Sequence, residues 1–286
     1  MGWVDNILNF SLADVTWLNT QQFDWLINLD KDREAIALAA SISAKRKTGF
    51  HIDQRGRCIP FGSRSEERKW LTGLWDDLNR GNQLSYLHEI FQICGYDFAG
   101  EEYLMDLDGD ESLGAESITV GLNTGCGERW PTRLWPKERW IDLAKRLVSK
   151  GYRVLLLGGP QEDRKNRQIS EQSSAQYLGV MPLRNFSNLV NSCDIIVSQV
   201  TMAMHIAIAA QKYLVLLNNI FNKAEFYLYE RGVILEPEIG CLGCFKQRFD
   251  DRCEVDDCMS LISVEAVEQA VENASKRISG EGKLKT

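Results

Sequence analysis

ITVGLNTGCG, at residues 118–127, decides the fold, because a short β-prone run ends there in a glycine-bearing loop. The same rhythm returns in YRVLLLGG (152–159), CDIIVSQ (193–199) and YLVLLNN (213–219). Apolar residues at helical spacing follow the first three runs in PKERWIDLAKRLVSKG, QEDRKNRQISEQ and TMAMHIAIAAQ. Regular alternation of strand and helix predicts an α/β fold with a parallel sheet that helices cover on both faces. Ligands of such sheets bind at the carboxyl ends of the strands.

The first third of the chain carries a weaker β signal. One strand is predicted in FDWLINL (23–29), and it runs into the helical pattern REAIALAASISAKR (33–46). Further helices are predicted in SEERKWLTGLWDDLNR (65–80), with Ser65 as its N-cap, and in LSYLHEIFQICGY (84–96). The intervening GFHIDQRGRCIPFGS shows turn residues and little periodicity. One strand with several helices predicts an incomplete α/β domain whose partner strand is missing on the N-terminal side.

An acidic stretch separates the two patterns. EEYLMDLDGDESLGAE (101–116) has the Asp, Gly and Ser content of an exposed linker. We therefore predict a partial α/β domain over residues 1–112 and a Rossmann-like domain over residues 113–286.

Composition restricts the class of protein. Apolar residues make up 44% of the chain and charged residues 26%, as in ordinary globular proteins. The net charge of −7 disfavours nucleic acid as a partner, because phosphate binding needs a basic surface. No apolar run approaches the roughly 18 residues of a membrane-spanning helix. The N-terminus MGWVDNILNF lacks the basic flank and cleavage site of a signal peptide, so we expect a cytoplasmic protein.

The loop after the first strand is the leading candidate for an anion site. Gly125 and Gly127 allow backbone N–H groups to approach a phosphate, and Thr124 supplies a hydroxyl. Arg129 and Arg133 supply positive charge. A glycine-bearing turn with surface arginines is the alternative, and the loop matches neither a P-loop nor the dinucleotide fingerprint.

Four more residues follow later strands. Glu162, in GGPQED, is placed to accept hydrogen bonds from ribose hydroxyls, although a first-turn carboxylate facing the helix dipole is the simpler interpretation. Thr201 is a predicted N-cap, and His205 lies one turn further along that helix, where a packed core histidine is the alternative. Glu225 lies on a loop that is predicted to enter a helix, with a surface turn as the alternative.

Taken in order, these segments resemble glycosyltransferase family 9. The likeness covers residues 118 to about 271 and rests on the loop NTGCGERWPTRLWP, the turn GGPQED, the helix start TMAMH and a cysteine-rich tail. The resemblance implies the two-Rossmann-domain architecture called GT-B, with an acceptor-side N-terminal domain. It also implies inverting transfer from ADP-heptose or a similar nucleotide-activated sugar to lipopolysaccharide or another glycan or lipid-linked acceptor. The resemblance implies neither a catalytic metal nor a catalytic cofactor. It does imply peripheral contact with the inner face of the cytoplasmic membrane.

By resemblance, the loop residues Thr124, Gly125 and Gly127 meet the phosphates of the donor. Arg133 stands where the family usually has Lys. Glu162 matches a carboxylate that binds ribose. Thr201 and His205 match the family's D-T-G-x-x-H stretch, which lies against the diphosphate and the sugar.

The sequence departs from the family pattern in two places. Val200 and Met202 replace the Asp and the Gly of that stretch, which removes an acceptor for a sugar hydroxyl and a close backbone approach. The Gly-Asp loop that supplies the general base in the family has no counterpart in this sequence. Asp30 and Asp32, at the end of the predicted N-terminal strand, are the candidates for that base, with a loop cap or an acceptor contact as the alternative.

The last four of the eight cysteines form a cluster. Cys241, Cys244, Cys253 and Cys258 have the number and the C-x-x-C spacing of a four-thiolate site for structural zinc or iron. Free thiols or a redox disulfide are the alternatives. A closed site of this kind leaves no coordination position for a substrate.

Two further hypotheses stay open beside an active transferase. One is a non-catalytic nucleotide-sugar-binding or scaffold protein derived from such an enzyme. The other is an N-terminally truncated chain of an active enzyme, lacking about 60 residues by the usual size of half-domains.

Overall fold

The computed structural model describes residues 4–107, 117–127, 130–246, 248–250, 253 and 255–280. The chain divides into two compact units, of which the first contains residues 1–101 and 224–227. The second contains residues 102–223 and 228–286. The predicted domain boundary between residues 112 and 113 lies outside the described residues.

The first unit is built on a three-stranded sheet of order β1-β2-β3. Strand β1 is Gln22–Asn28, β2 is Ser43–Ile52 and β3 is Cys58–Pro60. β1 and β2 are parallel, whereas β2 and β3 form an antiparallel hairpin. The helices of this unit are α1 (Leu12–Leu18), α2 (Arg33–Ser41), α3 (Arg64–Thr72), α4 (Asp76–Gly81) and α5 (Tyr86–Cys94).

The helix predicted over residues 33–46 is wrong in its second half. α2 ends at Ser41, the backbone of Ile42 is extended, and β2 begins at Ser43. Pairing with β1 outweighs the helical propensity of these residues. Gly49 makes the pairing close, because a Cβ at this position would lie 1.8 Å from the carbonyl oxygen of Asn28. The expectation of a single strand in this part of the chain is therefore corrected to three strands among the residues that the structure describes.

The helix predicted over residues 65–80 is two helices, which break at Gly73. Its N-cap is Ser63 rather than Ser65, and the Ser63 hydroxyl accepts a hydrogen bond from the backbone N–H of Glu66. The Glu66 carboxylate in turn accepts from the N–H groups of Gly49, Gly62 and Ser63, each at 2.8 Å. Glu66 is buried, so this one carboxylate joins β2 to the start of α3.

The second unit contains the predicted parallel sheet. Six parallel strands take the order β6-β5-β4-β7-β8-β9. Their bounds are β4 Thr119–Asn123, β5 Arg153–Leu157, β6 Gln176–Tyr177, β7 Ile195–Gln199, β8 Tyr213–Leu217 and β9 Gly232–Leu235. The four predicted strands correspond to β4, β5, β7 and β8. The short β6 and the less buried β9 were not predicted, because their sequence patterns are too weak.

Helices cover this sheet, as the pattern predicts. They are α6 Lys137–Ser149, α7 Asp163–Ser173, α8 Leu183–Asn191, α9 Met202–Ala209 and α10 Val264–Ile278. The core includes the inner faces of α6 and α10 packed on the strands, with Trp140, Leu143 and Val271 fully buried. Among the described residues, no helix has the length and apolar character needed to span a membrane.

Candidate functional site

The candidate site is a cleft in the second unit at the carboxyl ends of β4, β5 and β7. From β4 the chain adds β5 and β6 on one side of the sheet and then β7, β8 and β9 on the other. Open α/β sheets bind ligands at such a switch point. The cleft has a volume of about 410 Å³. Its lining residues are Asn123, Gly125, Cys126, Gly127, Arg133, Gly159, Glu162, Phe186, Thr201, Met202 and Ala203.

The loop after β4 is held from beneath by two polar contacts. The side chain of Thr124 is fully buried, and its hydroxyl donates to Oδ1 of Asn166 at 2.5 Å. Lys165 Nζ donates to the carbonyl oxygen of Thr124 at 2.7 Å. Thr124 was predicted to donate its hydroxyl to a phosphate, but in this structure the hydroxyl positions the loop and does not line the cleft.

Gly125 brings the loop into contact with Glu162. A Cβ on Gly125 would lie 2.0 Å from Oε1 of Glu162, so only glycine leaves room for this carboxylate. Glu162 Oε2 accepts a hydrogen bond from the N–H of Gly159 at 2.9 Å. Gly125 and Glu162, two predicted site residues that follow different strands, are therefore in contact. Gly127 also lines the cleft and has a positive φ of 74°, whereas Arg129 lies outside the described residues.

Arg133 bridges two loops of the cleft. Its guanidinium donates to the carbonyl oxygens of Val200 and Cys126, the latter at 3.0 Å. The group also lies over the rings of Trp130 and Phe221, with its Cζ 5.7 and 5.5 Å from their centroids. Nε is buried and has no hydrogen-bond partner among the described residues. Burial lowers the pKa of Arg133, although this side chain stays charged at neutral pH.

Two residues that the sequence did not single out, Asn123 and Lys165, hold the loops that form the cleft. Asn123 Nδ2 donates to Gly125 O and Ser198 Oγ at 3.0 Å and to Thr201 Oγ1 at 3.2 Å, which ties β4 to β7. Lys165 lies beneath the loop, where burial lowers the pKa of its ammonium group. The position of Asn123 in the sequence could have identified it, because it is the last residue of a buried strand.

Thr201 is the N-cap of α9, as predicted, and its hydroxyl accepts from the N–H of Ala203 at 3.1 Å. Met202 is 56% exposed and lines the cleft next to Thr201. His205 lies one turn further along α9 and is exposed, and it does not line this cleft. The alternative of a packed core histidine is thereby excluded.

The remaining acidic candidates lie in the first unit. Asp30 and Asp32 follow β1 and line a separate cavity of about 540 Å³ with Phe10, Leu38 and Ile42 among its walls. The Asp30 carboxylate accepts from the N–H of Asp32 at 2.9 Å, which is a loop contact.

Glu225 was predicted to belong to the donor site, but it packs with the first unit. It lies in a 3-10 turn (Lys223–Glu225) rather than at the start of a helix. Burial raises the pKa of Glu225, and a hydrogen bond from Asn79 and the charge of Lys69 act in the opposite direction. Its carboxylate lies next to α4, and Glu225 does not line the strand-end cleft.

The four clustered cysteines line one small cavity. Cys241, Cys244, Cys253 and Cys258 surround a space of about 20 Å³. Asn219 Nδ2 donates to Cys258 Sγ at 3.1 Å. Burial raises the pKa values of Cys244 and Cys258. In the part of the chain that the structure describes, no three Cys, His, Asp or Glu side chains are arranged to hold a metal ion.

A Rossmann-like unit with this strand-end cleft, in a chain that also contains a second α/β unit, defines the class of GT-B-like proteins. The chain belongs to glycosyltransferase family 9, because the sequence model of that family, described as heptosyltransferase, matches residues 15–246. The resemblance inferred from the strand-end loops is confirmed.

A relative in this family is lipopolysaccharide heptosyltransferase 2 of Salmonella typhimurium, which is 32% identical over 125 residues. That alignment covers 41% of this chain and 35% of the relative, so the chain matches only about a third of the relative's length.

Solved structures share the fold at low sequence identity. A family 9 glycosyl transferase from Veillonella parvula is 19% identical, with a TM-score of 0.67 over 91% of this chain and 78% of that one. ADP-heptose lipopolysaccharide heptosyltransferase II of Escherichia coli is 18% identical, with a TM-score of 0.61 over 90% and 77%. The iron-containing dodecameric glycosyltransferase TibC of enterotoxigenic E. coli is 17% identical, with a TM-score of 0.56 over 85% and 63%. These likenesses confirm the predicted GT-B-like α/β fold.

Proposed function

We propose that this chain binds a nucleotide-activated sugar, with ADP-heptose as the first candidate, and transfers the sugar with inversion to a lipopolysaccharide or other glycan acceptor. The observation that carries the proposal is the convergence of Arg133, Glu162 and the Gly125 loop on one strand-end cleft. Family membership supports the reaction class. The relatives named heptosyltransferase support the identity of the donor.

The polar groups of the cleft suit a nucleoside diphosphate. The Arg133 guanidinium supplies positive charge in the cleft, the Lys165 ammonium adds charge from beneath the loop, and Gly127 exposes backbone. Glu162 Oε1 accepts no hydrogen bond from the described residues and suits a ribose hydroxyl. The leaving group of an inverting transfer is the nucleoside diphosphate, so charge that binds the donor also stabilises the departing phosphate.

The acceptor hydroxyl loses a proton during such a transfer, and a carboxylate is the usual base. Asp30 and Asp32 remain the candidates of this chain, at the carboxyl end of β1. A location at the inner face of the cytoplasmic membrane, with peripheral contact only, would bring the protein to a lipid-linked acceptor.

A second candidate function is binding of the nucleotide sugar without transfer. The observation that favours it is the exposed Met202 in the cleft, next to Val200, where the family pattern has Gly and Asp.

Calorimetric titration of the intact chain with ADP, ADP-heptose, UDP-glucose and GDP-mannose tests donor binding. We expect micromolar binding of ADP and ADP-heptose, and no binding of any of the four nucleotides would refute the proposal. Release of ADP from ADP-heptose in the presence of a heptose-deficient lipopolysaccharide core then separates the two functions. Turnover supports the transferase, whereas binding without turnover supports the second candidate.

We also propose that Cys241, Cys244, Cys253 and Cys258 hold one structural zinc or iron ion. The chemistry of the donor set supports this, since four thiols line a single cavity of about 20 Å³. The N–H groups of Asn219 and Asp250 already reach two of the sulfurs, and N–H bonds of this kind support metal thiolates. The iron-containing glycosyltransferase with a similar fold makes iron the first alternative to zinc.

Elemental analysis of the purified chain tests the metal proposal. We expect about one zinc or iron ion per chain, with less than about a tenth of that in the double variant Cys241→Ser, Cys244→Ser. The variant should also melt at a lower temperature, because metal binding stabilises only the folded state. Cys94→Ser, at a half-buried cysteine of the first unit, is the matched control. A native chain that contains neither metal excludes the site.

A further inference from the structure

The cysteine segment, residues 241–246, is joined to the loop that carries Arg133. The hydroxyl of Thr132 donates to the carbonyl oxygen of Lys246 at 2.8 Å. From the other side, Nδ2 of Asn219 donates to the carbonyl oxygen of Thr132 at 2.7 Å. Thr132 and Asn219 are both buried, and neither lines the strand-end cleft. The residue before Arg133 is therefore held by two groups that lie outside the cleft.

Asn219 also contacts the cysteine cluster. Its Nδ2 donates to Cys258 Sγ at 3.1 Å, so both hydrogens of the side-chain amide have acceptors. Its main-chain carbonyl oxygen accepts from the N–H of Gly243, in the C-x-x-C turn, at 3.0 Å. Thr132 lines the small cavity of the four cysteines. Asn219 and Thr132 thus form a buried bridge between the cysteine cluster and the chain before Arg133.

The bridge acts on the peptide bond between Thr132 and Arg133. The carbonyl oxygen of this bond accepts from Asn219, and its N–H donates to the carbonyl oxygen of Trp130 at 3.2 Å. Because a peptide bond is planar, holding both of its polar atoms fixes the direction in which the Arg133 side chain leaves the backbone. In that direction the guanidinium reaches the carbonyl oxygen of Cys126 and lines the cleft.

An aromatic contact from the cysteine segment also supports the guanidinium. The ring of Phe245 meets that of Phe221 edge-on, with centroids 5.8 Å apart. The N–H of Phe245 donates to the carbonyl oxygen of Ile220 at 2.9 Å, which fixes Phe245 beside Phe221. The Phe221 ring in turn lies against Arg133, whose Cζ is 5.5 Å from the ring centroid. The cysteine segment therefore reaches Arg133 by two indirect routes.

We propose that Thr132 and Asn219 are positioning residues of the donor site, through which the order of the cysteine segment sets how tightly the cleft binds a nucleoside diphosphate. The proposal rests on the proposed function, because it takes Arg133 as the group that binds the phosphates. Neither side chain touches the ligand, and both act by holding Arg133. Coupling of this kind is reciprocal, so the bound nucleotide must also stabilise the cysteine segment.

Isothermal titration with ADP compares two substitutions of Thr132. Thr132→Val keeps the branched shape but removes the hydrogen bond to Lys246, so we expect ADP to bind about three- to tenfold more weakly. Thr132→Ser keeps the hydroxyl and should bind ADP within about twofold of the wild type. Thr119→Val makes the matched substitution at a buried threonine in the first position of β4, at the end of the strand away from the cleft. Its affinity should be unchanged.

Hydrogen exchange tests the reciprocal effect in the wild type. We expect saturating ADP to slow exchange at the N–H groups of Gly243 and Phe245 by about three- to tenfold, although neither residue lines the cleft. Asn219→Leu removes both side-chain bonds of the bridge, and ADP should no longer protect these two groups in that variant. Thr132→Val serves for the same comparison if Asn219→Leu does not fold.

The outcomes separate the bridge from the proposed function. Equal ADP affinities for the wild type and Thr132→Val, or an equal loss in Thr119→Val, would overturn the positioning role. So would an absence of ADP-dependent protection in the wild type, or protection that persists in the variants. In these cases the donor site stands. A wild-type chain that binds no ADP refutes the proposed function and the positioning role together.

Discussion

Replacement of Arg133 by alanine is expected to weaken the binding of ADP by about 30- to 100-fold, or roughly 2–3 kcal/mol. The guanidinium supplies charge to the cleft and also joins its two loops through the carbonyl oxygens of Cys126 and Val200. Loss of the side chain removes the charge-assisted bond to a phosphate. It also releases the loop that must hold its N–H groups toward that phosphate.

Isothermal titration with ADP measures this effect, and two variants control for its causes. Arg133→Lys retains the charge but cannot donate to both carbonyl oxygens in the same planar geometry, so we expect an intermediate loss of about three- to tenfold. Arg167→Ala removes an equal charge from α7, where the guanidinium is exposed and pairs with Asp163. ADP affinity should be nearly unchanged in that variant. Equal affinities for the wild type and Arg133→Ala would show that the nucleotide binds elsewhere.

Glu66→Gln is expected to destabilise the first unit by about 2–4 kcal/mol, although the two side chains have almost the same shape. The carboxylate accepts three backbone N–H bonds, one at Oε1 and two at Oε2. An amide offers one acceptor oxygen and one NH₂ group. In either orientation the NH₂ group therefore faces at least one backbone N–H, and a buried donor loses its partner.

Urea unfolding and hydrogen exchange measure this loss of stability. We expect the transition of the first unit to move to lower urea, with faster exchange in residues 43–63 than in the sheet of the second unit. Glu67→Gln is the matched control, because it makes the same substitution at the next residue of α3, which is exposed. A shift of equal size in both variants would attribute the effect to lost charge at the helix N-terminus rather than to the buried carboxylate.

The second unit was largely predictable because its strands are buried on both faces. Every residue of β4 and β7 is buried, and both strands appear in the sequence as short uncharged β-prone runs. The loops that follow them were located correctly for the same reason. The first unit was less predictable, since no residue of β1 is fully buried and β2 has buried residues only near its centre. Its pairing is decided by Gly49 and by the hairpin to β3, which are contacts distant in sequence.

The candidate site was also only partly predictable from the sequence. Gly125, Arg133, Glu162 and Thr201 could be named from the sequence, because each lies at the end of a strong strand or at a helix start. The contacts between these residues could not be predicted from the sequence. The sequence does not reveal that Thr124 is buried on Asn166, that Gly125 touches Glu162, or that Glu225 packs with the first unit.

The sequence by itself determined the parallel sheet, the order of the strand-end loops and the family, because these follow from local periodicity and short motifs. Tertiary structure alone decided which side chains the loops turn inward, how the N-terminal strands pair and that Thr124 is buried against Asn166. Those outcomes depend on contacts between residues distant in sequence, such as Gly49 against the backbone of Asn28, 21 positions away. Contacts of this kind are fixed by packing and hydrogen bonding in the folded chain, and no local pattern encodes them.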